Sequence, residues 1–215
     1  MILTQLFVEI DDFMKEFEPE MIKTMIEDGS KKRNCVSGLS ASELMTIVVY
    51  FHISGFRTMK KFYIDHIKGT HTTAFPTAVS YKQFVALQKT ILLPLTAFMQ
   101  LKRTGKSTGI SFVDSTNIVV CHNRRIHNHK VFNDIAQRGK SSTGWFYGFK
   151  LHLIVNEVGD IISFIFTAGN TDDRNPSLMT KLTKNISGKL FGDKGYLSKK
   201  LFDMLWKKDI QRDCK

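Results

Sequence analysis

The chain has 215 residues, with 31 Lys and Arg against 20 Asp and Glu for a formal net charge of +11, and is 42% apolar and 11% aromatic. That composition supports a hydrophobic core and excludes intrinsic disorder, collagen-like repeats and a disulfide scaffold. The three cysteines, Cys35, Cys121 and Cys214, are odd in number and far apart, which fits a reducing compartment. No uninterrupted apolar run approaches the roughly 20 residues a bilayer needs, and Met1 to Ile10 lacks a signal-type basic start and apolar core. A cytoplasmic protein is expected.

The charge is uneven. Residues 1–99 carry a net charge of +1 and residues 100–215 a net charge of +10. A basic field of that size attracts polyanions, nucleic acid foremost, although it can also serve solubility alone.

The first half reads as helical. Residues 1–28 hold eight acids against Lys15 and Lys23, so this end is expected to pack on protein rather than on phosphate. Ser40-Ala-Ser-Glu43 has the capping-box pattern and opens the apolar stretch Leu44 to His52. Phe56 to Ile67 mixes bulky apolar and basic residues between Gly55 and Gly69. Ser80-Tyr-Lys-Gln83 starts a second helix with Phe84, Leu87, Ile91, Leu92 and Leu95 on one face, which Pro94 should kink or split. Residues 1–101 are therefore expected to form a helical region, either a DNA reader or a structural cap, and 102–109, rich in Lys, Thr, Ser and Gly, a linker.

From residue 110 the pattern changes to period two. Ile110, Phe112, Ile118 and Val120 share one strand face with Asp114 and Thr116. Gly148 to Asn156 and Ile161 to Thr167 form a predicted hairpin around Glu157 to Asp160. A helix from about Pro176 to Lys184, a strand over Lys189 to Asp193 and a helix from Ser198 to about Lys208 complete a β-β-β-α-β-α order, which is the α/β class.

Asp114 is the informative residue, because a carboxylate within an apolar strand face needs a cation or strong hydrogen bonds if that face is buried. Asp193 ends another apolar strand before Lys194 and Gly195. Two aspartates from neighbouring strands offer oxygen ligands that suit Mg²⁺ or Mn²⁺; a turn or helix cap is the plainer reading of either. Cys121, His122, His127 and His129 are zinc-type ligands, but they lack the paired spacing of a structural site.

Several blocks together carry a family resemblance: Phe112-Val-Asp-Ser-Thr116, Cys121-His-Asn-Arg-Arg-Ile-His127, Arg138-Gly-Lys140, Gly144-Trp-Phe-Tyr-Gly-Phe-Lys-Leu-His152, Gly169-Asn-Thr-Asp-Asp-Arg174 and Gly192-Asp-Lys-Gly-Tyr196. In this order, from about Leu39 to Leu205, the chain resembles bacterial insertion-sequence transposases with a ribonuclease-H-like core, and most of all the 982 family. The resemblance implies a mixed sheet flanked by helices over 110–215, and a catalytic Asp-Asp-Glu set holding two Mg²⁺ or Mn²⁺ ions. Its first two acids match Asp114 and Asp193. It further implies action on double-stranded DNA at transposon terminal inverted repeats, with the protein as a homodimer in the bacterial cytoplasm and nucleoid-associated when bound. Arg124, Arg125, Lys130, Arg138, Lys140, Lys150, His152 and Lys194 are the candidate DNA contacts, the competing reading being a solvated basic loop. For Lys150 and His152 a structural hydrogen bond is an equal alternative, and Trp145 and Phe146 are either stacking surfaces for an unpaired base or core.

The third acid has no match. Only Asp203, Asp209 and Asp213 follow Asp193, and no glutamate does. The fifth strand and closing helix are accordingly expected to be missing, which would leave the fourth strand as an exposed edge and make the chain a truncated, impaired transposase. A binding module that occupies transposon ends and interferes with an intact enzyme is the alternative, and a ribonuclease-H-like nuclease unrelated to transposition is a third.

Overall fold

The computed structural model describes residues 2–27, 29, 38–133, 135–142, 144–193 and the backbone of 210–214. It divides into two compact units, Met1–Lys102 and Arg103–Lys215.

The first unit is helical: α1 (Ile2–Glu27), α2 (Ala41–Ile53), one turn of α3 (Met59–Lys61) running into a π-helix over Phe62–Thr70, then α4 (Tyr81–Leu87) and α5 (Leu92–Lys102). The capping box at α2 is formed on both sides. Glu43 N donates to Ser40 Oγ at 3.1 Å, and Ser40 N donates to Glu43 Oε2 at 2.7 Å. Ile10, Phe13 and Met14 of α1 enter one core with Leu44, Met45 and Ile47 of α2, Phe62, Tyr63 and Ile67 of the π-helix, and Phe84, Ile91 and Phe98. Tyr63 and Phe84 stack at 4.2 Å, and the buried phenol donates to Val79 O at 2.8 Å.

A 3₁₀ turn over Gln88–Ile91 separates α4 from α5. Pro94 lies in the first turn of α5, the part of a helix that tolerates proline best. The whole helical run Tyr81–Lys102 spans 22 residues with a mean hydropathy of 1.4, long and apolar enough by length and composition to cross a bilayer. Unbroken apolar runs do not reveal it, because Gln83, Gln88, Lys89 and Thr90 interrupt them.

The second unit is a mixed sheet of β1 (Ile110–Cys121), β2 (Gln137–Ser141), β3 (Gly144–Asn156), β4 (Ile161–Ala168), β5 (Gly188–Gly192) and β6 (Ile210–Cys214), with α6 (Pro176–Leu182) between β4 and β5. β3 is antiparallel to β1, β2 and β4; β1, β5 and β6 run parallel to one another in that order. β2 and β4 share the far edge of β3, the first along Gly144 to Gly148 and the second from Phe149 onward. Asn156 fixes the β3–β4 turn, its Oδ1 accepting from Val158 N at 3.1 Å and Asp160 N at 2.8 Å.

The expected mixed sheet and helical N-terminal region are present, but the expected loss of the fifth strand and closing helix is wrong. The further strand is present: β6 pairs with β5 from Gly188↔Ile210 to Gly192↔Cys214, so the fourth core strand is not left as an edge. A helix closes the buried face, where Met179 and Leu182 of α6 pack with Val113, Ile154, Ile162 and Leu190. The error has a physical source. β6 reads Ile-Gln-Arg-Asp-Cys, too short and polar to show a hydrophobic pattern, and backbone pairing with β5 defines it. β2, read only as a basic motif, is a strand for the same reason. The helix expected over Ser198 to Lys208 lies outside the described residues.

Candidate active site

β1 presents two unlike faces. Ser111 and Val113 are buried against the α6 side, whereas Ile110, Phe112 and Ile118 on the other side are 38–44% exposed. Asp114 belongs to the open face and is itself exposed. It therefore needs no buried cation, contrary to the expectation that this apolar face is the core.

Strand register brings the two aspartates together. β1 and β5 pair in parallel through Phe112↔Phe191 and Val113↔Gly192, so the next positions along both strands are Asp114 and Asp193. Neighbouring strands lie about 4.8 Å apart, and residues two apart share a face. Phe112 and Phe191 stack at 5.5 Å on the open face, the side on which Asp114 projects and to which Asp193, the residue after β5, belongs if the alternation of β5 continues. Asp114 Oδ1 accepts from Ser115 N at 2.7 Å. Two carboxylates side by side on an open face form an oxygen-only donor set that leaves room for water, as Mg²⁺ and Mn²⁺ require. The residues fit such an ion, although no group of three His, Cys, Asp or Glu gathers among the described residues.

The basic candidates do not converge on this pair. Ser115↔His152 and Asn117↔Lys150 are register partners, which puts Lys150 and His152 on the face opposite Asp114. There Lys150, 9% exposed, donates to Thr171 O at 3.0 Å and to Asp173 Oδ1 at 3.1 Å. His152 is fully buried, with Nε2 2.9 Å from Thr167 Oγ1. Its Nδ1 has no hydrogen-bond partner and stands 3.8 Å from Asp173 Oδ1. Burial holds the His152 pKa below the ordinary value, against the opposing pull of Asp173 and with help from Lys150. The Gly-Phe-Lys-Leu-His and Asn-Thr-Asp-Asp-Arg blocks thus meet in space, a link no spacing shows.

Asp172 and Asp173 do not cap α6. Asn175 does, accepting from Ser177 N and Leu178 N. Asp172 instead holds the Arg174 guanidinium through two 3.1 Å bonds, which lower its pKa.

Arg124, Arg125 and Lys130 are exposed in the connection after β1, which includes a 3₁₀ helix over Asn123–Asn128. Arg138 and Lys140 are exposed on β2, and neither makes an ion pair among the described residues. Lys194 lies outside the described residues. Of the zinc-type side chains, His122 Nδ1 accepts from Arg124 N, and His129 Nε2 accepts from Phe132 N. Phe146 is core at 6% exposure and Trp145 is surface at 63%.

The transposase DDE domain family matches residues 104–212. No curated protein matches the chain. Among solved structures, a piggyBac transposase synaptic complex with hairpin DNA is 10% identical at a TM-score of 0.47, covering 98% of this chain and 47% of that one. A Mos1 mariner paired-end complex with Mn is 11% identical at a TM-score of 0.33, covering 90% and 65%. The chain thus spans about half the length of that piggyBac chain. The family match takes in half of the sequence, both aspartates and the strands that carry them: the chain belongs to the transposase DDE domain family.

Proposed function

We propose that the protein is the transposase of an insertion sequence of the 982 type, acting on the terminal inverted repeats of its element by Mg²⁺- or Mn²⁺-dependent strand cleavage and transfer. The observation that carries this is the register of β1 and β5, which sets Asp114 beside Asp193 on an open sheet face. Asp114 and Asp193 would hold the divalent ion, which would supply Lewis-acid stabilisation of charge on phosphate oxygens and lower the pKa of an attacking hydroxyl or water. The protein's own contribution is position. A rigid parallel strand pair fixes the two carboxylates, and exposed Arg124, Arg125 and Lys130 supply positive charge for duplex phosphates. The helical unit aids recognition of the ends, and two copies act as a homodimer on DNA.

A second reading rests on the donor count. With two carboxylates and no third acid grouped with them among the described residues, residues 1–215 by themselves bind Mg²⁺ weakly and turn over slowly, and serve mainly to occupy transposon ends. Mobility shift and nicking of an inverted-repeat duplex, with and without Mg²⁺, tests both readings. Enzymatic function predicts nicking that Asp114→Ala and Asp193→Ala each abolish while the shift persists. A shift without nicking, indifferent to both substitutions, supports occupancy alone. No preference for inverted-repeat over random duplex refutes the transposase assignment.

A further inference from the structure

Beside the Lys150 and Asp173 pair lies an open cavity of about 530 Å³, within the range of about 300–1,000 Å³ that small ligands occupy. Its cations are Arg138, Lys140, Lys150 and Arg174. Two of these are engaged, Lys150 by Asp173 and Arg174 by Asp172. Arg138 and Lys140, alternating along β2, have no acid partner among the described residues and leave the cavity with an excess of positive charge. A phosphate is the complementary ligand.

The wall that selects among phosphate esters is Trp145. Its indole is 63% exposed, and Lys140 Nζ stands 5.8 Å from the ring centroid. The backbone of Trp145 is held by its pairing with Lys140 across β2 and β3 and by Asn123 Nδ2, which donates to the main-chain Trp145 O at 2.7 Å. A duplex engages cations but keeps its bases stacked on one another. An exposed indole beside cations that have no acid partner among the described residues suits an unpaired base, whose faces are free.

Trp145 also borders a second cavity of about 440 Å³, lined by Thr116, Asn117, His122 and Asn123 among others. Thr116 is two residues beyond Asp114 on the same strand face, about 7 Å along it. Trp145 therefore borders both the basic cavity and a second cavity of mixed lining, in which Thr116 is the residue nearest along β1 to Asp114 on its face.

We propose that Trp145, Arg138 and Lys140 form a seat for one unpaired nucleotide of a DNA strand, its phosphate in the basic cavity and its base on the indole. The strand then continues past Thr116 toward Asp114 and Asp193. This rests on the assignment of the protein as a DNA transposase and deepens it. The seat binds a strand that has left the duplex, at a place distinct from the one where the phosphodiester reacts. It also accounts for the basic pair on β2, which lines a cavity that Lys150 and the loop after β4 complete.

Two ligands test it, a 12-residue oligothymidylate and an inverted-repeat duplex, each titrated without divalent metal into the full chain carrying Trp206→Phe, so that Trp145 alone fluoresces. Oligothymidylate is expected to quench that emission. Trp145→Ala, in the otherwise unaltered chain and read by anisotropy of labelled DNA, should weaken single-strand binding by roughly 5- to 150-fold, with duplex binding changed less than about twofold. Trp145→Phe should restore most of the loss, which a folding defect would not. Lys140→Gln should weaken single-strand binding and flatten its salt dependence. Equal loss on both ligands, or single-strand binding indifferent to Trp145→Ala, overturns the seat and leaves β2 as an edge strand guarded by charge. Failure of both ligands to bind even the unsubstituted chain overturns the DNA assignment as well, so the two failures are told apart.

Discussion

The Lys150 and Asp173 pair is the most exposed to test, because each partner's removal has a different expected cost. Lys150 keeps 11% of its side-chain exposure and Asp173 keeps 25%. Asp173→Ala leaves a nearly buried ammonium with one remaining protein acceptor, Thr171 O. Breaking a fully buried pair from one side costs about 3–5 kcal/mol, and an exposed pair is worth about 0–1 kcal/mol. Partial access of water through the space vacated by Asp173 puts the expected loss at about 2–3 kcal/mol. Lys150→Met removes the charge and refills the volume, and the surviving carboxylate is a quarter exposed, so its cost should stay near or below about 1 kcal/mol. The coupling between the two sites should reach about 1–2 kcal/mol in a double-mutant cycle.

Both tryptophans, Trp145 and Trp206, lie in the unit Arg103–Lys215. Urea unfolding followed by their emission therefore reports on the unit that holds the pair. In a domain of roughly 100 residues the Asp173→Ala loss corresponds to a melting shift of about 10–14 °C. A loss below about 0.5 kcal/mol for Asp173→Ala, or equal losses for the two single substitutions, would refute the reasoning that the ammonium is the costly partner to strand.

Acid should weaken both units through histidine. Burial lowers the His152 pKa, and burial with the neighbouring His66 lowers that of His71, so below about pH 6.5 the unfolded chain takes up protons that the folded chain does not. The stabilisation present above that pH is then lost as pH falls toward the folded-state pKa values. Urea midpoints between pH 8 and 5 should fall, and His71→Gln should flatten the fall for the helical unit; an acid-insensitive midpoint contradicts this. Gly188→Ala should cost more than about 2 kcal/mol, since φ is +85° and the added Cβ would lie 2.3 Å from Gly109 O at the start of β5. Loss of native emission at lower urea would show it, and an unchanged midpoint would refute it. Ser40→Ala should cost the helical unit about 1 kcal/mol by removing half of a reciprocal cap, read from the helical circular dichroism on melting; Ser80→Ala, which removes a longer 3.3 Å bond, should cost less.

Local signals carried most of the element list. Ser40 and Ser80 announce their helices because capping is a matter of three or four residues, and the β3–β4 hairpin shows itself by alternation around a turn. β2 and β6 escaped because Gln137-Arg-Gly-Lys-Ser141 and Ile210-Gln-Arg-Asp-Cys214 have no apolar alternation of their own. Their strand character comes from pairing with Gly144 to Gly148 and with β5. A strand defined by its neighbour leaves little trace in its own sequence.

The site shows the same division between what is local and what is relational. Alternation correctly put Asp114 on one face with Phe112 and Ile118, but period two cannot say which face meets the core. The structure assigns burial to the opposite side, with Ser111 and Val113, and this reverses the meaning of the neighbours. An exposed carboxylate among half-exposed apolar side chains is available to ligands, whereas a buried one would have been a structural ion. Lys150 and His152 illustrate the converse. Read along the chain they look like further cations for the same phosphate. Read through the register with Asn117 and Ser115 they belong to the other face, tied to Asp173, where they brace the loop after β4. The charge that composition assigns to one basic half is therefore divided by the sheet: Lys150 and His152 are held within the structure, and Arg124, Arg125, Lys130, Arg138 and Lys140 stay open to solvent. Only the second group can release counterions on binding, so salt dependence of DNA affinity should follow substitutions there and be nearly indifferent to Lys150.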